Sequence, residues 1–204
     1  MDSSDVCQLV LASSSPRRRE LVASLDLSLP VLILSTDTDE QTPEHWAPQQ
    51  IVEQLGLRKA LAAVRMLADA GDRSHSLVIG ADTIVVLDGE VMGKPADQAE
   101  AVSMLSKLQG RQHDVYTGIA CVDTLSERQY IAHRMTRVQM KPLSLARIER
   151  YVASGEPMDK AGSYAIQGLG ATIVDRIDGC YFNVVGLPLS LLSDMLASYG
   201  VEVF

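Results

Sequence analysis

Residues 6–25 read VCQLVLASSSPRRRELVASL, an apolar run followed by three serines, a proline and three arginines. Leu9 to Ala12 fit a β-strand, and Pro16 to Leu25 fit a helix, because proline is favoured at the first helical position. The serine-rich turn between them therefore precedes a helix N-terminus. Strands and helices continue to alternate along the chain, which predicts a mixed α/β or α+β fold.

This turn has the chemistry of an anion-binding loop. The backbone N–H groups at a helix N-terminus are unpaired and carry partial positive charge, so they favour phosphate. The hydroxyls of Ser13 and Ser15 add donors, and the guanidinium groups of Arg17 and Arg18 can bind phosphate oxygens in pairs. We interpret the loop as a site for a phosphorylated small molecule. The alternative is an ordinary capped helix with solvated arginines.

Composition limits the classes of function. The chain has 204 residues and is 47% hydrophobic, which suits one large domain or two intimately joined lobes, and we predict a single domain over residues 1–204. A net charge of −8 and a pI near 4.9 argue against nucleic acid or an anionic membrane as the main partner. The three separate cysteines suggest neither a disulfide framework nor a zinc cluster. We expect a cytoplasmic protein without a secretory signal or a membrane span.

Periodicity and turn signals give the expected order of elements. We predict strands over residues 9–12, 30–35, 77–81, 83–87, 115–122 and 130–140, and helices over residues 16–25, 48–70, 97–108, 144–153 and 187–199. Asp88 and Gly89 form a hairpin signal. Gly56 lies inside the long second helix, where glycine costs about 1 kcal/mol relative to alanine.

An acidic residue and a lysine interrupt this pattern in ways that suggest chemistry. Asp82 lies in the apolar stretch from Leu77 to Leu87, where a carboxylate needs a cation, a metal ion or hydrogen bonds. The alternative is that Asp82 only caps a strand end. Lys94 stands between Gly93 and Pro95, a pattern that constrains the backbone around it, although a lysine in a surface turn fits as well.

Residues 155–168, GEPMDKAGSYAIQG, contain too much glycine and proline for a simple helix. We expect a functional loop with tight turns that present Lys160, Tyr164 and Gln167. The amide group of Gln167 offers two donors and an acceptor, which suits the edge of a nucleotide base.

Seven stretches, in this order, resemble the Maf family of nucleoside triphosphate pyrophosphatases. They are residues 11–18 (LASSSPRR), 39–40 (DE), 58–60 (RKA), 80–83 (GADT), 93–95 (GKP), 155–168 and 185–188 (VGLP). The resemblance implies an elongated mixed β-sheet flanked by helices, with two lobes around a central cleft, similar to the inosine triphosphatases.

The resemblance also implies roles for individual residues. Asp82 matches the proton acceptor and Glu40 a functional acid. Matches to substrate or phosphate contacts are Ser13, Arg17, Arg18, Lys59 and Lys94, and matches to positions linked to base preference are Arg17, Thr83 and Gln167. Asp37 and Asp39 lie in the same acidic turn as Glu40, so the choice of Glu40 depends on the alignment. We expect Glu40 and Asp82 to hold a divalent cation, Mg²⁺ or Mn²⁺, because hard cations prefer oxygen ligands. The four histidines have no ligand-like spacing and are interpreted as structural.

The sequence from Tyr164 to Gly168 resembles the family branch that cleaves dTTP and UTP. The expected activity is hydrolysis of a nucleoside triphosphate to its monophosphate and pyrophosphate, as housekeeping of the nucleotide pool. The alternatives are action on 7-methyl-GTP or on inosine and xanthosine triphosphates, or a nucleotide-binding regulator of cell division without turnover. A homodimer is compatible with the resemblance, and the sequence alone does not decide it.

Overall fold

The computed structural model describes residues 5–204, which form a seven-stranded mixed sheet with six α-helices among the described residues. The strands are β1 (Gln8–Ala12), β2 (Val31–Leu34), β3 (Ser76–Leu87), β4 (Glu90–Met92), β5 (Gln112–Asp123), β6 (Gln129–Met140) and β7 (Val174–Asp178). The helices are α1 (Pro16–Ala23), α2 (Pro48–Asp69), α3 (Gln98–Leu108), α4 (Leu145–Ala153), α5 (Tyr181–Val185) and α6 (Leu189–Ala197). Three short 3₁₀ turns lie between α4 and β7, at Glu156–Asp159, Ala161–Ser163 and Gly168–Thr172.

The strand order in the sheet is β2-β1-β3-β5-β6-β7, and β4 pairs with β3. Strand β1 is parallel to both of its neighbours, whereas the β3–β4 and β6–β7 pairs are antiparallel. The predicted fold class, a mixed sheet flanked by helices, is therefore confirmed. Asp88 and Gly89 connect β3 to β4 with positive φ values of 53° and 84°, as a tight hairpin requires.

Most predicted elements are present, and their ends differ by a few residues. The largest difference concerns Asp82, because β3 is one continuous strand and Asp82 lies within it. The alternative that Asp82 caps a strand end is therefore wrong. Asp97 and Ser144 cap α3 and α4 by accepting hydrogen bonds from the N–H groups of Glu100 and Arg147. Strands β4 and β7 and helix α5 are additional to the prediction.

The chain divides into two compact units, each built from more than one segment. The first contains the described residues up to Asp82, Thr117–His133 and Gly186–Phe204. One of its apolar clusters joins α2 to strands β1, β3 and β5 through Val10, Ala60, Ala63, Val78 and Ala120, all fully buried. Small side chains dominate this cluster, so helix and strands lie close together.

The second unit contains Thr83–Tyr116 and Arg134–Val185. Its apolar cluster joins α3 and α4 to the strand residues of this unit, and includes Leu105, Leu108, Met140, Ile148 and Tyr164. Among residues 5–204, no helix combines the length and the apolar character needed to cross a membrane.

Candidate active site

Strand register brings the serine-rich loop close to Asp82. Ala12, the last residue of β1, pairs with Gly80 of the parallel strand β3, so the loop that begins at Ser13 leaves the sheet beside residues 80–82. Asp82 is 8% exposed and Ser13 is 5% exposed. A buried carboxylate therefore lies near the N-terminus of α1, whose dipole favours negative charge.

Glycines set the distance between α2 and the sheet. A Cβ atom at Gly80 would lie 2.2 Å from the carbonyl oxygen of Gly56, and one at Gly118 would lie 2.4 Å from the backbone of Val52. The backbones of α2, β3 and β5 therefore approach more closely than any side chain at these two positions would permit. Gly56, unfavourable by helix propensity alone, lies in this contact.

This close packing places Lys59 over the strand. Its ammonium group donates to Asp82 Oδ1 at 2.5 Å and lies 2.8 Å from Glu40 Oε1. The side chains of Lys59 and Asp82 are 13% and 11% exposed, whereas that of Glu40 is 55% exposed. One ammonium group thus bridges two carboxylates, and it compensates for the charge of a buried aspartate.

The position of Glu40 depends on Arg58. The guanidinium group of Arg58 donates to the backbone carbonyls of Asp39 at 3.1 Å and Gln41 at 2.7 Å. The carboxylate of Asp39 accepts the N–H of Gln41 and so caps the turn. The geometry therefore distinguishes the two acids, because Asp39 holds the turn while Glu40 extends to Lys59. Arg58 lies in the motif of residues 58–60, but its residue type alone does not predict this role.

Arg18, in the first turn of α1, is fixed by a hydrogen bond to the backbone of a residue far along the chain. Its Nε donates to the carbonyl oxygen of Gly186 at 2.7 Å. Burial lowers the pKa of Arg18 below its usual value of 12.5, the negative charges of Asp82 and Glu40 oppose that shift, and the charge of Arg17 adds to it. The two arginines and the two carboxylates thus act on each other within the first unit.

The two predicted loop serines form the helix cap. Ser15 Oγ accepts from the N–H of Arg18, as the N-cap residue of α1. Ser13 Oγ accepts from the N–H of Ser15 at 3.1 Å. The predicted capped N-terminus is confirmed, and it is the same loop for which we expected anion binding, so the two interpretations are compatible.

The remaining three predicted site residues belong to the second unit. Thr83 directly follows Asp82 on β3, and Lys94 is exposed in the loop after β4. The backbone beside Lys94 is fixed, because Gly93 accepts a hydrogen bond from the N–H of Gly162. Gln167 is half-buried and precedes the 3₁₀ turn Gly168–Thr172 at its N-cap position, where its side chain makes no capping hydrogen bond.

Two other side chains expected to be presented from the loop are instead structural. Tyr164 is 5% exposed, and its hydroxyl lies 2.7 Å from His113 Nε2. Burial raises the pKa of Tyr164 well above its usual value. The ammonium group of Lys160 donates to the backbone carbonyl of Glu156 and to Asp159. Neither side chain is presented as predicted, because Tyr164 is buried against His113 of β5 and Lys160 binds residues of its own loop.

The carboxylates of Glu40 and Asp82 have the oxygen-donor chemistry of a Mg²⁺ site, in which one or two carboxylates act together with substrate phosphates and water. Lys59 occupies the position between them. Residues 5–204 contain no cluster of three or more acidic, histidine or cysteine side chains arranged to hold a metal ion. Two carboxylates are the number of protein ligands expected where a cation is shared with a phosphorylated ligand.

Positive groups beside a carboxylate suit hydrolysis of a phosphate anhydride. Positive groups neutralise the charge that develops on the leaving phosphate, and the carboxylate accepts a proton from water. In the first unit, the ammonium group of Lys59 contacts Asp82, and Arg18 interacts electrostatically with Asp82 and Glu40.

Comparison with known proteins gives the family. The family model described as Maf-like protein matches residues 8–199, so the chain belongs to the Maf-like proteins. A curated protein from Pelotomaculum thermopropionicum, named dTTP/UTP pyrophosphatase, is 52% identical over 196 residues, which cover 96% of this chain and 98% of that protein. A protein of the same name from Desulforamulus reducens is 50% identical over 195 residues, with 96% and 98% coverage.

One solved structure matches with lower similarity. The crystal structure of a nucleoside-triphosphatase / dITP/XTP pyrophosphatase from Mycobacterium abscessus matches 65% of this chain and 72% of that chain, with a TM-score of 0.40 and 16% identity.

Proposed function

We propose that this protein is a nucleoside triphosphate pyrophosphatase that hydrolyses dTTP and UTP to the monophosphate and pyrophosphate. The observation that carries the proposal is the Asp82–Lys59–Glu40 cluster beside the anion-binding loop. The names of relatives about 50% identical along nearly the whole chain support the choice of substrates. We place the enzyme in the cytoplasm, in nucleotide-pool housekeeping.

In this proposal, the first unit provides the reacting groups. The loop N–H groups, Arg17 and Arg18 bind the phosphates. Asp82 accepts a proton from the water that attacks the α-phosphorus, and the bond from that phosphorus to the oxygen bridging to the β-phosphate breaks. The bridging oxygen leaves with the pyrophosphate. Lys59 holds Asp82 in place and compensates for its charge before the substrate arrives.

The other proposed roles in catalysis and base preference belong to residues of the second unit. We assign Lys94 to neutralise the leaving pyrophosphate, and Thr83 and Gln167 to base preference, with the Gln167 amide reading the base edge. Glu40 and Asp82 would hold a divalent cation, Mg²⁺ or Mn²⁺, which supplies charge neutralisation at the phosphates when bound. These assignments follow the family resemblance.

Pyrophosphate release from a panel of nucleotides tests the activity. We expect release from UTP and dTTP in the presence of magnesium, with weaker release from ITP, XTP and 7-methyl-GTP. Asp82→Asn, which removes the proton acceptor with little change in size, should lower kcat about a hundredfold or more. Equal rates in the two proteins would remove Asp82 from the mechanism, and release from none of the nucleotides would favour a non-catalytic binding protein.

The role of Gln167 needs a separate test. Gln167→Ala should reduce the preference for UTP over ITP, measured as the ratio of kcat/KM values. An unchanged ratio would exclude Gln167 as the base-reading residue while leaving the hydrolytic activity intact.

A further inference from the structure

The loop that carries Gln167 is attached to one carboxylate. Glu156 Oε2 accepts from the backbone N–H of Leu169 at 2.9 Å, and Oε1 accepts from the N–H of Gly170 at 2.8 Å. Oε1 also accepts from the hydroxyl of Tyr151 at 2.9 Å. Glu156 thus binds the residues that follow Gln167, and it does so through their backbone.

Tyr151 extends this attachment to the other side of Gln167. Its hydroxyl accepts from the backbone N–H of Ala165 at 3.1 Å while it donates to Glu156. Tyr151 lies on α4 and is 7% exposed, so its ring is fixed in the core of the second unit. The backbone on either side of Gln167 is therefore connected, directly or through one hydroxyl, to the same carboxylate.

Steric contacts leave the loop little room to shift. A Cβ atom at Gly168, where φ is +61°, would lie 2.5 Å from Glu156 Oε2. A Cβ atom at Gly170 would lie 2.2 Å from the carbonyl oxygen of Ala165 and 2.6 Å from the hydroxyl of Tyr151. Two glycines thus allow the backbone to close around the carboxylate and the hydroxyl. The backbone at Gly168 and Gly170 thus packs directly against the carboxylate of Glu156 and the hydroxyl of Tyr151, so changes to either side chain should alter the loop.

We propose that Glu156, acting directly and through Tyr151, is a positioning residue that holds Gln167 in the conformation that sets base preference. This inference rests on the proposed function and adds residues that need not touch the nucleotide. Preorganised recognition requires that the supporting groups be fixed before the ligand binds, and three hydrogen bonds to an anionic acceptor provide that.

A charged carboxylate fits this role better than an amide. All three partners of Glu156 donate a hydrogen, so glutamine would turn an NH₂ group toward at least one donor. Burial raises the pKa of Glu156, but the hydrogen bonds from Leu169, Gly170 and Tyr151 and the charge of Lys160 lower it further, so that it lies below the usual value of 4.5. The carboxylate is therefore ionised at neutral pH.

Two variants test the proposal by different changes. Glu156→Gln places an amide in the network, and Tyr151→Phe removes one hydroxyl and keeps the ring. Glu149→Gln, at an exposed position on the same helix as Tyr151, is the matched control. For each protein, kcat and KM are measured with UTP and with ITP, and circular dichroism confirms folding.

We expect both variants to lower the UTP/ITP ratio of kcat/KM about tenfold. In a Gln167→Ala background, neither variant should change the ratio further, because the residue that they position is then absent. The Glu149→Gln control should leave the ratio unchanged. Losses that are equal for UTP and ITP, or that add to the effect of Gln167→Ala, would indicate a merely structural role and overturn the proposal.

Amide hydrogen exchange gives a readout that does not depend on turnover. Exchange at Leu169 and Gly170 should become at least about tenfold faster in Glu156→Gln than in the wild type, since their acceptor is weakened. Unchanged exchange would overturn the proposal. If the wild type released no pyrophosphate, the proposed function and this inference would both fail. An active wild type whose variants kept the UTP preference would overturn the inference alone.

Discussion

At the scale of the residue, Lys59 decides whether Asp82 is tolerated where it lies. Asp82 is 8% exposed, and the ammonium group of Lys59 lies 2.5 Å from its carboxylate. Removal of a partner from a buried ion pair is far more damaging than the pair is stabilising, because the remaining charge stays buried.

Lys59→Met should therefore destabilise the protein by about 3 kcal/mol and reduce turnover of UTP at least about a hundredfold. Arg65→Met, at an exposed position on the same helix, is the control and should change neither quantity appreciably. Urea unfolding and pyrophosphate release measure the two effects. Wild-type stability in Lys59→Met would show that Asp82 does not depend on this partner.

His113 should make the stability of the protein depend on pH in the mildly acidic range. Its Nε2 is bonded to the Tyr164 hydroxyl, and Nδ1 is buried without a hydrogen-bond partner among the described residues. Burial lowers the pKa of His113 to about 4, against an opposing effect of Asp114. The unfolded chain binds one more proton between pH 4 and 6.5, so this residue makes stability fall as pH decreases through that range.

Between pH 4 and 6.5, the contribution of His113 should change the free energy of unfolding by up to about 1 kcal/mol per pH unit. His113→Gln, which does not titrate, should be less stable at pH 7 and should show a flatter dependence from pH 6.5 to 4. His45→Gln, an exposed position, should retain the wild-type slope. Thermal unfolding followed across this pH range measures the difference, and parallel curves for wild type and His113→Gln would contradict the assignment.

At the scale of the element, the contact of α2 with β3 and β5 determines where Lys59 lies. The helix approaches so closely at Gly80 and Gly118 that added Cβ atoms would overlap with its backbone. At Gly56, by contrast, an added Cβ atom would be 3.4 Å from the nearest carbonyl oxygens. Replacement by alanine should therefore be damaging at Gly80 and tolerated at Gly56, although the two residues contact each other.

Gly80→Ala should destabilise the protein by about 2–4 kcal/mol and reduce activity, because α2 must move away from the strand and carry Lys59 with it. Gly56→Ala should be close to neutral, since about 1 kcal/mol of improved helix propensity offsets a slightly tight contact. Denaturant unfolding and UTP hydrolysis of both variants check this contrast. A well-tolerated Gly80→Ala would show that the helix has room to adjust.

Elements were predictable from sequence where a local rule governs them. Asp97 and Ser144 cap helices because an acceptor side chain before a helical pattern has few other uses. Gly56 was read as a local weakness, because propensity describes a helix alone, whereas its contacts come from Gly80 and Gly118, far away in sequence. The pattern of turns also predicts that Tyr164 and Lys160 are presented, but Tyr164 is buried against His113, 51 residues earlier in the chain, and the ammonium group of Lys160 folds back onto Glu156 and Asp159.

Across the whole molecule, the sequence predicted which residues of the first unit belong to the candidate site. It did not predict the contacts among their side chains. The motifs indicated Glu40, Lys59 and Asp82, but nothing in the sequence showed that one ammonium group bridges both acids. The role of Arg58 was not predictable, because its acceptors are backbone carbonyls, which every residue type has. The roles of the second-unit residues Lys94 and Gln167 stay predictions.

The stability of the folded protein should decrease at alkaline pH because of two groups with raised pKa values. Burial raises the pKa of Cys121 to about 12 and is the main cause that raises the pKa of Tyr199 to about 12. The unfolded chain loses these protons from about pH 9 upward, so their contribution to stability is complete below that pH and is lost as pH rises toward 12. Cys121→Ala should flatten this decline in a urea-unfolding series, and the exposed Cys7→Ala should not. Identical pH curves for the two variants would refute the assignment to Cys121.

The hydrogen bond from Arg18 to the carbonyl of Gly186 has a consequence for biosynthesis. The guanidinium group belongs to α1, and its acceptor is made only after the entire second unit has been translated. A nascent chain therefore carries the serine-rich loop, residues 13–15, long before Arg18 has its acceptor. Competence to engage nucleotide should arise late in translation, and prematurely terminated products that lack Gly186 should not compete for the cellular pool.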